Sequence, residues 1–159
     1  MKIRSLVAAT NIAFMFVLVV GNVAQAAELK VLSSIGMQGV LETLGPKFEY
    51  ASGHKLAIMF DSSGDVVKRV RAGETVDVVV IPRQGIDSLV KDGKAIAESV
   101  IVLARSGIGP LPGDLQDTFS AAIIAGTKDA EAGKALINFL RTREAAAVIK
   151  AKGMEPAAP

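Results

Sequence analysis

Three apolar runs, each followed by a turn and a helix-like segment, constrain this chain more than any other feature. The runs are LKVLSS (Leu29–Ser34), KLAIMF (Lys55–Phe60) and VDVVVI (Val76–Ile81). The third is apolar almost throughout, which is typical of a strand covered on both faces of a sheet. Strands that alternate with helices predict a parallel α/β layer with right-handed crossovers.

The remaining segments continue the same alternation. VIVLA and FSAAIIAG predict two further strands, and KDAEAGKALINFLRT and REAAAVIKAKG predict two closing helices. Between the first two strands, a helix is expected to end at Gly53 and to be kinked or divided at Pro46. Residues 154–159, MEPAAP, are expected to form a frayed tail.

The first 26 residues have the pattern of a secretory signal peptide. Lys2 and Arg4 precede an apolar run, Leu6–Val20, and Ala24-Gln25-Ala26 supplies the small residues of a cleavage site. Cleavage is expected after Ala26, with export to the periplasm; the alternative is an uncleaved membrane anchor. The domain itself is then expected to span residues 27–153.

The charge balance argues against nucleic acid as a partner. The chain has 18 Lys and Arg against 16 Asp and Glu, and loss of Lys2 and Arg4 with the signal leaves 16 of each. No basic run alternates with aromatic residues. The chain also lacks cysteine, so it has neither disulfides nor a thiol for lipid attachment.

The turns after the first three strands carry the candidate site. They read Ser33-Ser34-Ile35-Gly36, Asp61-Ser62-Ser63-Gly64 and Pro82-Arg83-Gln84-Gly85. Carboxyl ends of parallel strands share one edge of a sheet, where helix N-termini offer unpaired N–H groups to an anion. Serine adds a hydroxyl donor and glycine allows close approach. The alternative is that these serines only cap helices.

Patterns typical of enzymes or cofactors are weaker. His54, the only histidine, has no companion residues of a catalytic triad. Ser88 and Lys91 match S-x-x-K but lack the accompanying motifs. Gly133-Lys134 lacks the other residues of a phosphate-binding loop, and no cluster has metal-ligand spacing. No catalytic residue, metal or cofactor is therefore predicted.

In combination, several segments resemble the extracellular solute-binding proteins of bacterial ABC importers, in particular the molybdate-binding group. They are KVLSSIGMQGVLETLGPKFEYASGHKL, FDSSGDVVKRVRAGETVDVVVI and GPLPGDLQ with INFLRTREAAAVIKAKGMEP. The resemblance implies one lobe of a type II periplasmic-binding-protein fold, a mixed, mostly parallel sheet flanked by helices. It also implies an ABC permease and a small anionic solute as partners.

The resemblance carries over to the candidate residues only in part. Ser63 matches the serine of the second turn that donates to the oxyanion in this family. The first-turn serine aligns on Gly36, with Ser33 and Ser34 just before it, and Ser62 lies beside Ser63. The third-turn N–H donor aligns on Pro82, which has no N–H, although Arg83 next to it suits a carboxylate or phosphate.

The segment ARSGIGPLPGDLQ, residues 104–116, interrupts the pattern with three glycines and two prolines in residues 107–113. In the related clamshell proteins a second lobe of on the order of 100 residues is inserted at this point. We expect most of that lobe to be missing near residues 106–110, which would impair binding. The alternatives are an ordinary loop, and a single-lobe interaction module or decayed remnant that binds no solute. Two chains are also expected to form a homodimer through the exposed cleft face.

Overall fold

The computed structural model describes residues 26–106 and 118–157. The expected signal peptide, apart from Ala26, and the Gly/Pro-rich stretch lie outside the described residues. Helices and one mixed six-stranded sheet make up the described part, so the predicted α/β class is confirmed. Among these residues, no helix combines the length and the apolar character that crossing a membrane requires.

The elements follow the predicted alternation. Short 3-10 turns lie at Ile35–Met37 and Ala97–Ser99. The strands and helices, in chain order, are β1 (Glu28–Ser34), α1 (Gln38–Ser52), β2 (Lys55–Asp61), α2 (Ser63–Arg71), β3 (Val78–Pro82), α3 (Arg83–Lys91), β4 (Ile101–Ser106), β5 (Thr118–Ile123), α4 (Ala130–Phe139), α5 (Arg143–Ala151) and β6 (Met154–Pro156).

The sheet is parallel in one half and antiparallel in the other. Its strand order is β2-β1-β3-β5-β4-β6, and β1 pairs in parallel with both β2 and β3. β5 runs antiparallel to β3 and β4, and β6 runs antiparallel to β4. The sheet is therefore mixed, as expected, but only its first three neighbouring strands are mutually parallel. β5 lies between β3 and β4 and runs in the opposite direction to both, so this antiparallel pairing does not require a crossover helix.

Two apolar layers cover the sheet, one on each face. Val78 and Val80 pack in the layer formed with α1, α4 and α5, while Val79 and Ile81 pack in the layer formed with α2 and α3. All four side chains are completely buried. The prediction that VDVVVI is covered on both faces is confirmed, and this rigid central strand positions the turns at its end.

Helix α1 is continuous through Pro46, so the expected division at this residue is wrong. The proline lies on the exposed side of the helix, where a carbonyl that loses its intrahelical partner can bond to water. Val40, Leu41, Leu44 and Phe48 hold the opposite face in the core. The helix ends as predicted at Gly53, which adopts a positive φ of 76°.

The expected tail is partly a strand. Met154–Pro156 pairs with β4 as β6, the last strand of the sheet. The N–H of Ala157 also donates to the carbonyl of Leu103 at 2.9 Å. Tail composition did not predict this pairing because it depends on the open edge of β4, which lies about 50 residues earlier in the chain.

Candidate functional site

The carboxyl ends of the three parallel strands meet at one edge of the sheet. Ser34 at the end of β1 is in register with Asp61 at the end of β2, and Pro82 at the end of β3 is in register with Phe119 of β5. A cavity of about 200 Å³ opens at this edge. The residues that line it are Ser34, Ile35, Gly36, Asp61, Ser62, Ser63, Pro82 and Phe119.

Ser34 is the most informative residue of the cavity. Its backbone is extended at the end of β1, and only 3% of the residue is exposed. Its hydroxyl is buried and has no hydrogen-bond partner among the described residues. A buried polar group without a partner costs about 1–3 kcal/mol. Unpartnered buried polar groups are rare in folded proteins, so this hydroxyl needs an explanation.

Gly36 is required by the packing of the cavity wall. A Cβ atom on this residue would lie 2.7 Å from Cζ of Phe119, closer than any real contact of that kind. The ring of Phe119, 7% exposed, therefore closes one side of the cavity against bare backbone. Gly36 offers a ligand its N–H but no side chain.

The second turn both caps a helix and lines the cavity. The Ser62 hydroxyl caps α2 by accepting the N–H of Asp65 at 3.2 Å, and it also donates to Asp65 Oδ2 at 2.6 Å. The alternative reading as a cap is therefore correct for Ser62, although the residue also lines the cavity. Ser63 is the first residue of α2 and lines the cavity at the positive end of that helix.

Two of the six candidate residues are not brought into the cavity. Ser33 is fully buried, and its hydroxyl donates to the carbonyl of Val80 at 3.0 Å, linking β1 to β3. Arg83 Nε donates to Asp87 Oδ1 at 2.7 Å along helix α3. Neither side chain lines the cavity, whereas Ser34, Gly36, Ser62 and Ser63 do.

Among the described residues, no basic side chain lines the cavity. Its acidic residue, Asp61, accepts the N–H of Ser62 at 2.8 Å and pairs with Arg69 at 3.2 Å. Arg69 also pairs with Glu74 at 2.6 Å, and these carboxylates raise the pKa of its guanidinium. The N-terminus of α2 is the positive feature that the described residues place at the cavity, and Arg69 balances Asp61.

Ile35 and Phe119 were missed as lining residues, and each for a different reason. Ile35 carries a signal that was overlooked, because an isoleucine inside a polar turn has no helix-capping role; the structure leaves it 61% exposed at the cavity. Phe119 carries no local signal. Its position depends on the register of β5 against β3, which single-sequence patterns do not reveal.

A larger cavity, about 540 Å³, lies at the opposite edge of the sheet, near the start of β1 and the end of β5. Its buried carboxylate, Asp77, already has partners. Asp77 Oδ2 accepts the N–H of Lys30 at 2.7 Å, and Oδ1 accepts the Thr127 hydroxyl at 2.5 Å. The buried carboxylate at the larger cavity therefore already has hydrogen-bond donors, whereas the smaller cavity is lined by Ser34, whose hydroxyl has no partner.

The residues of the weaker motifs, His54, Ser88 and Gly133, do not line the small cavity. His54 Nδ1 accepts the N–H of Ala27 at 3.0 Å, at the edge of the sheet opposite the small cavity. The Ser88 hydroxyl bonds to Arg71 at 2.6 Å on the surface. Gly133 lies inside α4 against Val78. Among residues 26–106 and 118–157, no group of three or more His, Cys, Asp or Glu side chains could hold a metal ion.

Comparison with known proteins gives a family match. The family model described as bacterial extracellular solute-binding protein matches residues 29–111 and, separately, residues 107–155. The substrate-binding domain of a putative molybdenum ABC transporter from Clostridium difficile is similar in fold, with a TM-score of 0.73 at 9% identity over 83% of this chain and 100% of that one. The Azotobacter vinelandii periplasmic molybdate-binding protein has a TM-score of 0.72 at 15% identity over 82% and 99%.

Two further similarities widen the range of relatives. The sulfate-binding protein SubI from Mycobacterium tuberculosis has a TM-score of 0.68 at 13% identity over 84% of this chain and 88% of that one. An aconitate isomerase from Pseudomonas sp is 34% identical over 85 residues. That match includes 50% of this chain and 32% of the isomerase, so it spans about a third of the length of the curated relative.

Proposed function

We infer that this chain, which belongs to the bacterial extracellular solute-binding proteins, is a periplasmic receptor that binds a small anion for an ABC importer. The ligand is an oxyanion or a small carboxylate, held at the carboxyl edge of the sheet. Similar folds named for molybdate and sulfate support an oxyanion, and the similarity to a protein named for aconitate supports a carboxylate.

The observation that carries this proposal is the unpartnered hydroxyl of Ser34. Ser34 lines a cavity of about 200 Å³ together with Gly36, Ser62 and Ser63, a volume suited to a small anion or a single carboxylate group. The Ser34 hydroxyl and the Gly36 N–H are the donors that an anion would use first, followed by Ser63. The Ser62 hydroxyl mainly holds α2 in place.

The site is a half-site in this proposal. β4 ends at Ser106 and β5 begins at Thr118, and the register of Arg105 with Thr118 puts both ends at the edge that carries the cavity. Two separate family matches that meet at residues 107–111 also suit a segment lost between them. A clamshell receptor encloses its ligand between two lobes. One lobe alone should bind with a millimolar constant, about 4 kcal/mol, instead of the roughly 8 kcal/mol of a micromolar receptor.

Calorimetric titration tests the proposal with molybdate, sulfate, phosphate and aconitate as ligands. We expect weak binding of at least one of them. A hydrogen bond to a charged ligand contributes about 1.5–3 kcal/mol, so Ser34→Ala should weaken that binding by about tenfold or more.

Ser120→Ala is the matched control for this titration. Ser120 is also buried, and its hydroxyl is also unpartnered, but it does not line the cavity. Its variant should bind as the unchanged protein does. Equal binding by the unchanged protein and Ser34→Ala would refute the site, and a submicromolar constant for a monomer would refute the half-site.

We also propose that two chains associate through the cavity face. Ile35, 61% exposed beside the cavity, is the apolar group that such a contact would cover. If the ligand is enclosed between the two chains, it should strengthen the dimer by mass action. Sedimentation velocity at several protein concentrations, with and without the ligand, measures this effect. A purely monomeric chain in saturating ligand would contradict it.

A further inference from the structure

A methionine sulfur contacts the guanidinium group that balances the acidic residue of the small cavity. Nη2 of Arg69 donates a hydrogen bond to Sδ of Met59 at 3.5 Å. Met59 lies in β2, an outer strand of the sheet, and Arg69 lies on α2. A leucine would fill a similar volume in the apolar layer where Met59 packs, so packing alone does not explain a sulfur atom at this position.

Met59 is accessible to small oxidants from solvent. Met37 is completely buried, whereas Met59 and Met154 are each partly exposed. Met154 lies in β6, the outer strand on the other side of the sheet, so it is far from Arg69. Oxidation turns the apolar thioether of methionine into a polar sulfoxide. At Met59 the new oxygen would form beside a cationic hydrogen-bond donor.

We propose that Met59 is a site of reversible oxidation by hydrogen peroxide, and that Arg69 responds to its oxidation state. The sulfur lone pair attacks one peroxide oxygen, a sulfur–oxygen bond forms and the oxygen–oxygen bond breaks. The transferred oxygen gives its proton to the departing hydroxide, which leaves as water. The sulfur is oxidised by two electrons and the peroxide is reduced by two. Methionine sulfoxide reductases return the sulfoxide to the thioether.

The new oxygen competes for the hydrogen bonds of Arg69. Glu74 accepts from Nε and Nη2 of Arg69, each at 2.6 Å, and Asp61 accepts from Nη1 at 3.2 Å. A thioether sulfur is a weak acceptor, whereas the sulfoxide oxygen is a strong one. An oxygen added to Sδ crowds Nη2, which is only 3.5 Å away, so the guanidinium has to shift. The single longer bond to Asp61 is expected to break before the two short bonds to Glu74.

Asp61 transmits this shift to the small cavity. Its carboxylate lines the cavity, and Arg69 balances its charge. Once Arg69 is drawn towards Met59, the Asp61 carboxylate repels an anion in the cavity more strongly. We expect oxidation to weaken anion binding by about two- to fivefold, which is the range for a partly exposed ion pair. This effect on binding rests on the proposed function, whereas the oxidation of Met59 does not.

The test compares the protein with Met59→Leu and Met154→Leu, each before and after treatment with hydrogen peroxide. Peptide mass spectrometry should show one added oxygen on Met59 and on Met154, at a dose that leaves Met37 unchanged. The Nε–Hε signal of Arg69 in two-dimensional NMR should move when Met154→Leu is oxidised, because this variant keeps Met59. Oxidised Met59→Leu is the matched control, and its Arg69 signal should not move.

Binding is measured after the peroxide is removed, with molybdate, sulfate, phosphate and aconitate. Oxidised Met154→Leu should bind more weakly than the untreated variant, and methionine sulfoxide reductases should restore both the affinity and the Arg69 signal. A Met59 that stays unoxidised while Met154 is oxidised would overturn the modification site. An Arg69 signal that ignores the sulfoxide, or equal affinities before and after oxidation, would overturn the response of Arg69. If the untreated protein binds none of the anions, the proposed function fails, and the mass and Arg69 signals still decide the modification.

Discussion

At the scale of single residues, two buried serine hydroxyls without partners lie in different surroundings. The hydroxyls of Ser34 and Ser120 both lack a hydrogen-bond partner among the described residues, but only Ser34 is a lining residue of the small cavity. Ser33, its neighbour in the strand, points away from the cavity and bonds to Val80. Alternation along a strand makes adjacent side chains face opposite ways, so the Ser-Ser pair predicted a site but not which serine serves it.

Each unpartnered serine hydroxyl is expected to lower the stability of the free protein, including the Ser34 hydroxyl that is proposed to bind the ligand. Replacing either with alanine removes a buried hydroxyl that is unpaired in the free protein. We expect Ser34→Ala and Ser120→Ala to raise the free energy of unfolding by about 1 kcal/mol or leave it unchanged. Urea denaturation measures this change. A loss of more than about 1 kcal/mol in Ser34→Ala would mean that the hydroxyl has a partner without ligand.

Gly36 provides a second prediction at this scale. A methyl group there must displace the Phe119 ring, so Gly36→Ala should destabilise the fold by about 1–3 kcal/mol and also weaken anion binding. Gly64→Ala is the control, because no atom lies within 4 Å of a Cβ at that position in α2. Thermal unfolding compares the two. Equal melting temperatures for the variants would contradict the close packing of Phe119 over the turn.

At the scale of elements, the turn that begins helix α2 both caps the helix and lines the cavity. Its cap, Ser62, and its first residue, Ser63, both line the cavity, so the helix start is fixed by the same turn that faces the ligand. The segment DSSGD predicted either a cap or a site; the cap is confirmed for Ser62, and the site stays a prediction. What the segment could not reveal is that the Ser62 hydroxyl is already occupied by Asp65.

The cap makes the stability of the fold sensitive to acid. The hydrogen bond from Ser62, and then the pairing with Lys68, hold the pKa of Asp65 below its usual value. The unfolded chain therefore binds this proton more readily, so the contribution is present above pH of about 4 and is lost as pH falls through the lower folded pKa. We expect Asp65→Asn to flatten the fall in unfolding free energy as the pH drops below about 4.

Urea denaturation across that pH range is the measurement for Asp65. Ser62→Ala is the companion variant, because it removes the largest cause of the lowered pKa and should also cost about 1 kcal/mol through loss of the cap. An unchanged pH slope in both variants would show that the carboxylate is not stabilised by the turn.

The outer strand β2 is shielded by a residue of α1. Glu49 Oε1 accepts the N–H of Leu56 at 2.7 Å, and this hydrogen bond is the largest cause of the lowered pKa of Glu49. Since the neighbouring N–H of Lys55 donates to Ala27 of the extended chain before β1, the N–H of Leu56 points to the open side. Strand edges without such cover are prone to pair with other chains.

We therefore expect Glu49→Ala to increase self-association at high protein concentration. Glu42→Ala is the control, because Glu42 lies on the same helix but accepts a hydrogen bond from the Gln38 side chain at 2.7 Å instead of one from the strand. Light scattering against concentration measures the difference. Identical curves for the two variants would mean that Glu49 does not protect the edge.

At the scale of the whole molecule, local patterns predicted the elements better than their arrangement. The apolar runs and the glycine that ends α1 were sufficient to identify β1, β2, β3 and the helices between them. The antiparallel position of β5 beside β3 and the pairing of β6 with β4 depend on contacts distant in sequence. Those contacts also bring Phe119 to the cavity. Local sequence patterns therefore could not predict this part of the cavity wall, just as they could not predict the strand order.

The central claim is that a small anion binds at the carboxyl edge of the sheet, on Ser34 and the two turns beside it. Titration of the amide-labelled protein with molybdate, sulfate or aconitate, followed by two-dimensional NMR, tests this location directly. We predict millimolar binding in fast exchange, with the largest shifts at residues 34–36 and 61–64, and a binding constant about tenfold weaker or more when the same shifts are followed in Ser34→Ala. Shifts that instead cluster around Lys30, Lys94 and Lys128, at the larger cavity on the opposite edge, would contradict the account.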